Sequence, residues 1–359
     1  MSLDTNKVVV AMSGGVDSSV AAHLLREQGY ECTGVFIHHG QGKLAALAGD
    51  GCASSAHAAD ARKMAEHIGI PFEELDVSDV FTQIVEGFAN EYAAGRTPNP
   101  CIVCNVLVKF GALMDYADRI GAQYVATGHH IRMGTHDGAP AIHRGKAIGK
   151  DQSYVLFALP RERLSRMLLP LGDVADKALV RETARELGLT VHDKPDSQDI
   201  CFTAGDGYRD VLEMFAPEAL RTGDIVDGEG NVLGEHEGYG LYTIGQRRGL
   251  RVAAGVPVYV SAIDAAKAEI TLGEKPAVMH HKLTASGANW HADLPDAFDA
   301  TVQVRYNHRG EPGHVRLTGA DTFEVTFDEP VWAITPGQAA VVFDGERLLG
   351  GGWIDTFAD

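Results

Sequence analysis

The chain has 359 residues, 45% of them apolar and 22% charged, with a formal net charge of −18. That length exceeds one ordinary domain, so two or three domains with their own cores are expected. The acidity argues against indiscriminate nucleic-acid binding, where a basic surface supplies most of the affinity, and no stretch reaches the roughly 18–20 uninterrupted apolar residues of a membrane helix.

The first residues, from Met1 to Lys7, run straight into a strand pattern and leave no room for a signal peptide, so a cytoplasmic location is expected. Val8-Val9-Val10-Ala11-Met12 reads as a buried strand ending in a glycine turn. A helical pattern over 18–28 stops at Gly29, and a second strand covers 32–37. Helices over 53–68, 80–94 and 106–120 alternate with strands over 72–77 and 123–127, and a last helix lies near 177–187. Strands alternating with helices imply parallel βαβ units with helices on both faces. Near residue 205 the pattern changes to short β-like runs at 223–228, 256–263, 300–306, 324–327 and 339–343, separated by Gly, Pro and Asp. Such spacing points to small β domains or a barrel.

Ser13-Gly14-Gly15-Val16-Asp17-Ser18 lies between a strand and a helix. Two glycines allow close backbone approach, the serines offer hydroxyls, and the helix start turns its N–H groups and positive dipole end to the same spot, as a phosphate site requires. Asp17 is a candidate ligand for Mg²⁺ beside the phosphates. The segment lacks the lysine of a Walker A motif and the spacing of GxGxxG. It matches the SGGxDS signature of the PP-loop ATP pyrophosphatases, whose members cleave ATP between the α and β phosphates and adenylate many different substrates.

Five cysteines, Cys32, Cys52, Cys101, Cys104 and Cys201, sit in a chain expected in a reducing compartment, so each is core filler, metal ligand or reactive thiol. Pro98 and Pro100 fix an extended approach to Cys101 and Cys104, and a helix beginning at Cys104 would favour its thiolate through the helix dipole. The CxxC pair as a zinc site needs two further ligands, for which Cys201 and a histidine are the only loose candidates. As a thioredoxin-type motif it follows the wrong strand, and two buried small side chains remain the plain alternative. Cys201 lies in a polar, turn-prone segment just before the pattern changes.

The hexapeptide, TPNPCxxCNxxxKF (97–110), ATGHH (126–130), GKDQSY (149–154), DSQDICF (196–202), YTIGQRRG (242–249) and TPGQA (335–339) occur in this order along nearly the whole chain. Together they resemble the tRNA-specific 2-thiouridylases. The resemblance implies a parallel-sheet PP-loop domain of α/β class over 1–207, a small central domain over 208–274 and a C-terminal β-barrel-like domain over 275–359. It implies ATP with Mg²⁺, bound by Ala11, Met12, Ser13, Gly14, Gly15, Val16, Asp17 and Ser18, with Ile37 on the adenine and Gly128 closing over the nucleotide. The reaction implied is replacement of the 2-oxygen of a wobble uridine by sulfur, after adenylation of that oxygen. Cys201 would carry a persulfide, and Cys104 would attack it, leaving a Cys104–Cys201 disulfide that is reduced each turnover. The same resemblance places Asn99, Pro100, Cys101, His129, Lys150, Asp151, Gln152, Arg305, Tyr306 and Gln338 against tRNA acceptors for Lys, Glu and Gln. It implies a sulfur-donor protein delivering the persulfide, no membrane and a monomer.

One departure bears on the chemistry: many members of that family carry Asp where this chain has Cys101. A thiol with an ordinary pKa near 8.5 replaces a carboxyl as acid or base only when tuned. The role of Cys101 therefore stays open, with Asp17 or a water as the other choices. The negative charge requires a locally basic face, expected at Arg247, Arg248 and Arg251 with Arg305, His308 and Arg309.

Overall fold

A computed structural model describes residues 3–39, 55–194, 200–203 and 207–359. Cys52 and residues 196–199 of the DSQDICF segment lie outside them. The chain forms two compact units, one of Met1–Ile84, Cys101–Gly205 and Glu346–Leu348, the other of Val85–Pro100, Asp206–Gly345 and Leu349–Asp359.

The first unit is built on strands β1 (Asp4–Ala11), β2 (Glu31–His38), β3 (Phe72–Asp76), β4 (Ala122–Ala126) and β7 (Met167–Leu168). They form one sheet in the order β3-β2-β1-β4-β7, and every pairing is parallel. Val8, Val9 and Val10 are buried at its centre, as a run of β-branched residues covered on both faces must be. Helices α1 (Val16–Glu27), α2 (Ser55–Ile68) and α3 (Ser78–Ala93) follow the first three strands. The apolar faces of α1 and α2 join the sheet in a core that includes Val20, Leu25, Met64 and Ile68.

Helix α4 runs from Pro100 to Arg119, with its middle, Asn105–Ala112, wound as a π-helix. It starts earlier than the expected 106–120, because Pro100 supplies a preset φ and lacks only an N–H that a first helical residue does not use. This helix is long and apolar enough to cross a membrane, yet half of that stretch is buried within the chain, as in the core helix of a globular protein. The antiparallel pair β5 (Ile131–His136) and β6 (Ala139–Arg144) has no counterpart among the expected elements. Its turn is Asp137-Gly138, both at positive φ, the residue pair that a tight hairpin favours. Helix α5 covers Lys177–Glu186.

In the second unit, β8 (Gly223–Val226), β9 (Val232–His236), β10 (Tyr259–Asp264) and β11 (Glu269–Gly273) make a four-stranded sheet in the order β10-β11-β8-β9. Strands β12 (Met279–Trp290), β13 (Ala297–Gln303), β14 (Glu311–Leu317), β15 (Phe323–Trp332), β16 (Ala339–Asp344) and β17 (Arg347–Ala358) follow in the order β12-β15-β14-β13-β16-β17. A further β12–β17 pairing closes them into a barrel and removes the sheet edges. The strand expected over 300–306 ends at Gln303, so Arg305 and Tyr306 lie in the following turn and not on a half-exposed strand.

The barrel interior is filled by Leu283, Val302, Val325, Val342 and Ile354 around Phe323, which meets Trp290 edge-on at 5.2 Å. Phe323 is fully buried, so Phe323→Ala is expected to cost about 3–5 kcal/mol of stability, read as a lower urea midpoint of the full chain.

Candidate nucleotide and thiol site

In an open parallel sheet, ligands settle beyond the carboxyl ends of the strands where the strand order reverses. Here that point is β1, flanked by β2 on one side and β4 on the other. Val10 pairs with Ala126, so the turns after β1 and β4 leave the sheet side by side. The first turn is Ser13–Ser18, and the second is Thr127-Gly128-His129-His130. Ser13 Oγ and Ser18 Oγ lie 3.3 Å apart, and Ser18 and Ser19 hydroxyls donate to the Gly15 carbonyl. Gly14 has φ +72°, and a Cβ there would stand 2.5 Å from the His57 carbonyl oxygen. Gly128 packs against the loop itself, since its Cβ would stand 2.8 Å from Asp17 C and Ser18 N. Ala11 ends β1 and Met12 follows it, and half-buried Ile37 lies in β2 opposite Leu75.

Asp17 is the electrostatic centre of this turn. Lys177, at the start of α5, donates to its Oδ2, and His130 Nε2 lies 3.3 Å from its Oδ1. Burial alone would raise the Asp17 carboxyl, but the His130 and Lys177 hydrogen bonds and their charges hold it below its ordinary value. Lys194 Nζ donates to the Gly14 carbonyl and to Asp60, each at 3.1 Å. The sequence motifs assign no role to Lys177, which has no local signal because its partner is 160 residues away. His130 stands inside ATGHH but is not distinguished there from His129, and Lys194 lies two residues ahead of the quoted DSQDICF segment.

The thiol half of the site lies on α4. Cys101 is exposed and Cys104 is half-buried one turn inside the helix. The expected dipole assistance from a helix beginning at Cys104 is therefore corrected, because the helix begins at Pro100 and the dipole's effect is confined to its first turn. Burial instead raises the Cys104 thiol, opposed by the charge of Lys109 and reinforced by Cys101. Lys109 Nζ lies 3.4 Å from His129 Nε2, and His129 Nδ1 lies 2.6 Å from Thr127 Oγ1. Phe202, beside half-buried Cys201, meets Phe81 at 5.7 Å, and Phe81 meets His39 at 4.3 Å. Burial, with the charges of Lys109 and His38, pushes the His39 imidazole down to about 4. These contacts lead from the Cys201 segment to the surroundings of Lys109. Neither Cys104 nor Cys201 is in a disulfide.

Several residues expected against tRNA are engaged within their own unit. His129 is buried, and the Gln152 side-chain oxygen accepts from the His130 backbone N–H. Asp151 accepts from Arg144, the Gly145 N–H and the Ser153 hydroxyl, which fixes the loop that presents half-buried Lys150. In the second unit, Gln338 Nε2 donates to the carbonyls of Thr97 and Pro98 at 2.8 and 3.2 Å, while the Thr97 N–H donates to Pro336. Gly337 stands against the same backbone, where a Cβ would meet Thr97 N at 2.9 Å. This clasp holds the segment of half-buried Asn99 and buried Pro100. Arg305 donates to the carbonyls of Trp332 and Ala333, while Tyr306 is exposed. Arg247, Arg248 and Arg309 are exposed, and Arg251 pairs with Glu237.

The turn fits a nucleotide. Two glycines stand where a Cβ would collide, hydroxyls and helix N–H groups converge, and His130 Nδ1 is a buried polar atom with no partner among the described residues. Among those residues, no group of three or more His, Cys, Asp or Glu side chains could hold a metal ion. A cation here would reach Asp17 together with phosphate oxygens and water, the usual manner of Mg²⁺.

A parallel sheet with the SGGxDS turn Ser13–Ser18 at its switch point is the arrangement of PP-loop nucleotide-binding proteins. Models for the tRNA methyl transferase HUP domain, the tRNA methyl transferase PRC-barrel domain and the aminomethyltransferase beta-barrel domain match residues 6–205, 209–274 and 280–354. The chain is 45% identical to the tRNA-specific 2-thiouridylase MnmA of Rhodopirellula baltica, covering 99% of this chain and 97% of that one. It is also 45% identical to that of Carboxydothermus hydrogenoformans, over 97% of both. Among solved structures, a 4-thiouridine synthetase–RNA complex with bound ATP aligns at TM-score 0.39 and 20% identity, over 59% of this chain and 51% of that one. The chain belongs to the tRNA-specific 2-thiouridylase family.

The lowered Asp17 carboxyl sets a pH dependence. Its contribution to stability is complete above the unfolded value near 3.8 and is lost as pH falls through the lower folded value. Asp17→Asn is therefore expected to be less stable than the parent at pH 7, with the gap closing below about pH 4; chemical unfolding of both proteins at several pH values measures it.

Proposed function

We propose that this chain is an ATP-dependent sulfurtransferase that replaces the 2-oxygen of the wobble uridine in tRNA with sulfur. The observation that carries the reading is the presence, in one compact unit, of the loop at the sheet's switch point and the two cysteines Cys104 and Cys201. Relatives bearing the 2-thiouridylase name align over almost the full length of the chain.

Bound ATP supplies an AMP group that turns the uracil 2-oxygen into a good leaving group. The backbone of Ala11 to Ser18 and the serine hydroxyls hold the phosphates, Ile37 backbone groups meet the adenine, and Gly128 lets the second turn close against the loop. Asp17, held by Lys177 and His130, would be the residue to hold Mg²⁺ beside the phosphates, where the ion would offset their negative charge. A donor protein leaves a persulfide on Cys201. The Cys104 thiolate attacks the Cys201 sulfur and forms the Cys104–Cys201 bond, and hydrosulfide leaves with the electron pair. Hydrosulfide adds to C2 of the activated uracil, AMP departs with the former 2-oxygen, and an external thiol reduces the disulfide. Asn99, Pro100 and Cys101 border the base, and Lys150 and Tyr306 offer side chains to the RNA. Buried His129 and half-buried Asp151, Gln152, Arg305 and Gln338 shape the surfaces around them. The domain limits 1–207, 208–274 and 275–359 are supported by the three family models, which begin and end within a few residues of them. A monomer in the cytoplasm completes the reading, with tRNAs for Lys, Glu and Gln as acceptors.

The test is incubation with ATP, Mg²⁺, a sulfur source and unmodified acceptor tRNA, followed by a mercury-containing gel that retards thiolated RNA. A retarded band and RNA-dependent release of pyrophosphate are expected; a protein that releases pyrophosphate only with a small-molecule acceptor refutes the reading. With persulfide delivered by a cysteine desulfurase, Cys104→Ser and Cys201→Ser should each lose product by at least about a hundredfold. Gly128→Ala forces its Cβ onto the Asp17 and Ser18 backbone, and an increase of about tenfold or more in KM for ATP is expected in steady-state pyrophosphate release.

A further inference from the structure

Cys104 must attack as a thiolate, yet most of its surroundings oppose one. Burial disfavours the charged sulfur, and Cys101 adds to the penalty. The thiol also sits a turn inside a helix that starts at Pro100, where the dipole no longer helps. The opposing group is Lys109, five residues on along the same helix.

We infer that Lys109 is a positioning residue whose ammonium stabilises the Cys104 thiolate, and that His129 and Thr127 aim it. The inference rests on the reading of Cys104 as the attacking thiol.

Three features of the fold support it. First, the helix widens just after Cys104. Asn105–Ala112 is π-helical, with Phe110 departing to φ −120° and ψ 15°. In an α-helix the residue five positions on points well away from the first, whereas a turn closed by i→i+5 bonds carries it back toward the same side. Second, the widened turn is held open from outside. Arg163 donates to the carbonyls of Val106 and Phe110 at 3.1 and 2.6 Å. Gly111 admits the close approach, since a Cβ there would stand 2.7 Å from the Val106 oxygen.

Third, the hydrogen bonds of Lys109 fix the state of His129. An ammonium only donates, so His129 Nε2, 3.4 Å from Lys109 Nζ, must be the acceptor. The ring proton then sits on Nδ1, which donates to Thr127 Oγ1 at 2.6 Å. Burial, with the charges of Lys109 and His130, keeps His129 neutral, and His39, likewise facing Lys109, is neutral at physiological pH. Neither imidazole competes with Lys109 as a cation. The charge change is simple: the Cys104 proton leaves to solvent, and no oxidant or reductant takes part.

The experiment follows alkylation of Cys104 by iodoacetamide in the full chain from about pH 6 to 10, resolved from Cys101 and Cys201 by tandem mass spectrometry. Lys109→Met should move the midpoint up by about one pH unit, a tenfold smaller thiolate fraction near neutrality. Lys109→Arg should restore most of the reactivity. His129→Gln, which keeps the charge but changes its anchor, should give a smaller upward move. Lys109→Gln serves if the methionine variant does not fold. A lysine that only supports the helix would lower the thermal midpoint and leave the alkylation profile in place, and that result overturns the inference. An unchanged profile in His129→Gln overturns the role of His129. The measurement uses neither RNA nor ATP, so its failure is separate from failure of the thiolation assay.

Discussion

The contacts of Asp17 organise the nucleotide half of this molecule. The carboxylate stands where β1 passes into α1, and it is held by a histidine from the turn after β4 and a lysine from the start of α5. Those partners lie 113 and 160 residues further along the chain, so the loop takes its shape only once the sheet has placed β4 beside β1. A partly buried ion pair of this kind adds little net stability, because desolvation offsets much of the attraction. What it adds is a defined position for the carboxylate before any ligand arrives.

The thiol half obeys the opposite logic. Burial keeps Cys104 protonated for most of the time, as would suit the attacking thiol proposed above, which shares its helix with a second, exposed cysteine. An exposed low-pKa pair at CxxC spacing would oxidise to each other readily. Reactivity supplied by a single aimed ammonium can be confined to one of the two sulfurs.

Much of this was readable before the structure. The β-branched run at Val8–Val10 and the glycine turn after it fixed a buried strand and the loop, because both signals are local. The helical period of 106–120 masks the role of Pro100 as a first helical residue, so the sequence pattern places the start of α4 too late. The β5–β6 hairpin was overlooked although Asp137-Gly138 advertises it; its strands are short and one pairs through mixed polar residues. Lys177 could not be found at all, since nothing in its neighbourhood refers to Asp17. Among the residues expected against RNA, motif matching could not separate side chains that face outward, such as Tyr306, from those spent on backbone carbonyls, such as Arg305 and Gln338. Sequence identity reports that a residue matters, and burial decides how.

Gln338 and Gly337 bind the carbonyls and backbone just ahead of Asn99 and Pro100, and the chain passes from there directly into Cys101 and Cys104. The clasp is made by a loop between β15 and β16, so it exists only if the barrel has closed. A shortened protein that kept every nucleotide and thiol residue but lacked the barrel would leave the Thr97 and Pro98 carbonyls without their donor. The barrel is therefore no detachable accessory: one of its loops donates to the backbone just ahead of the cysteine helix, across a sequence separation of 240 and 241 residues.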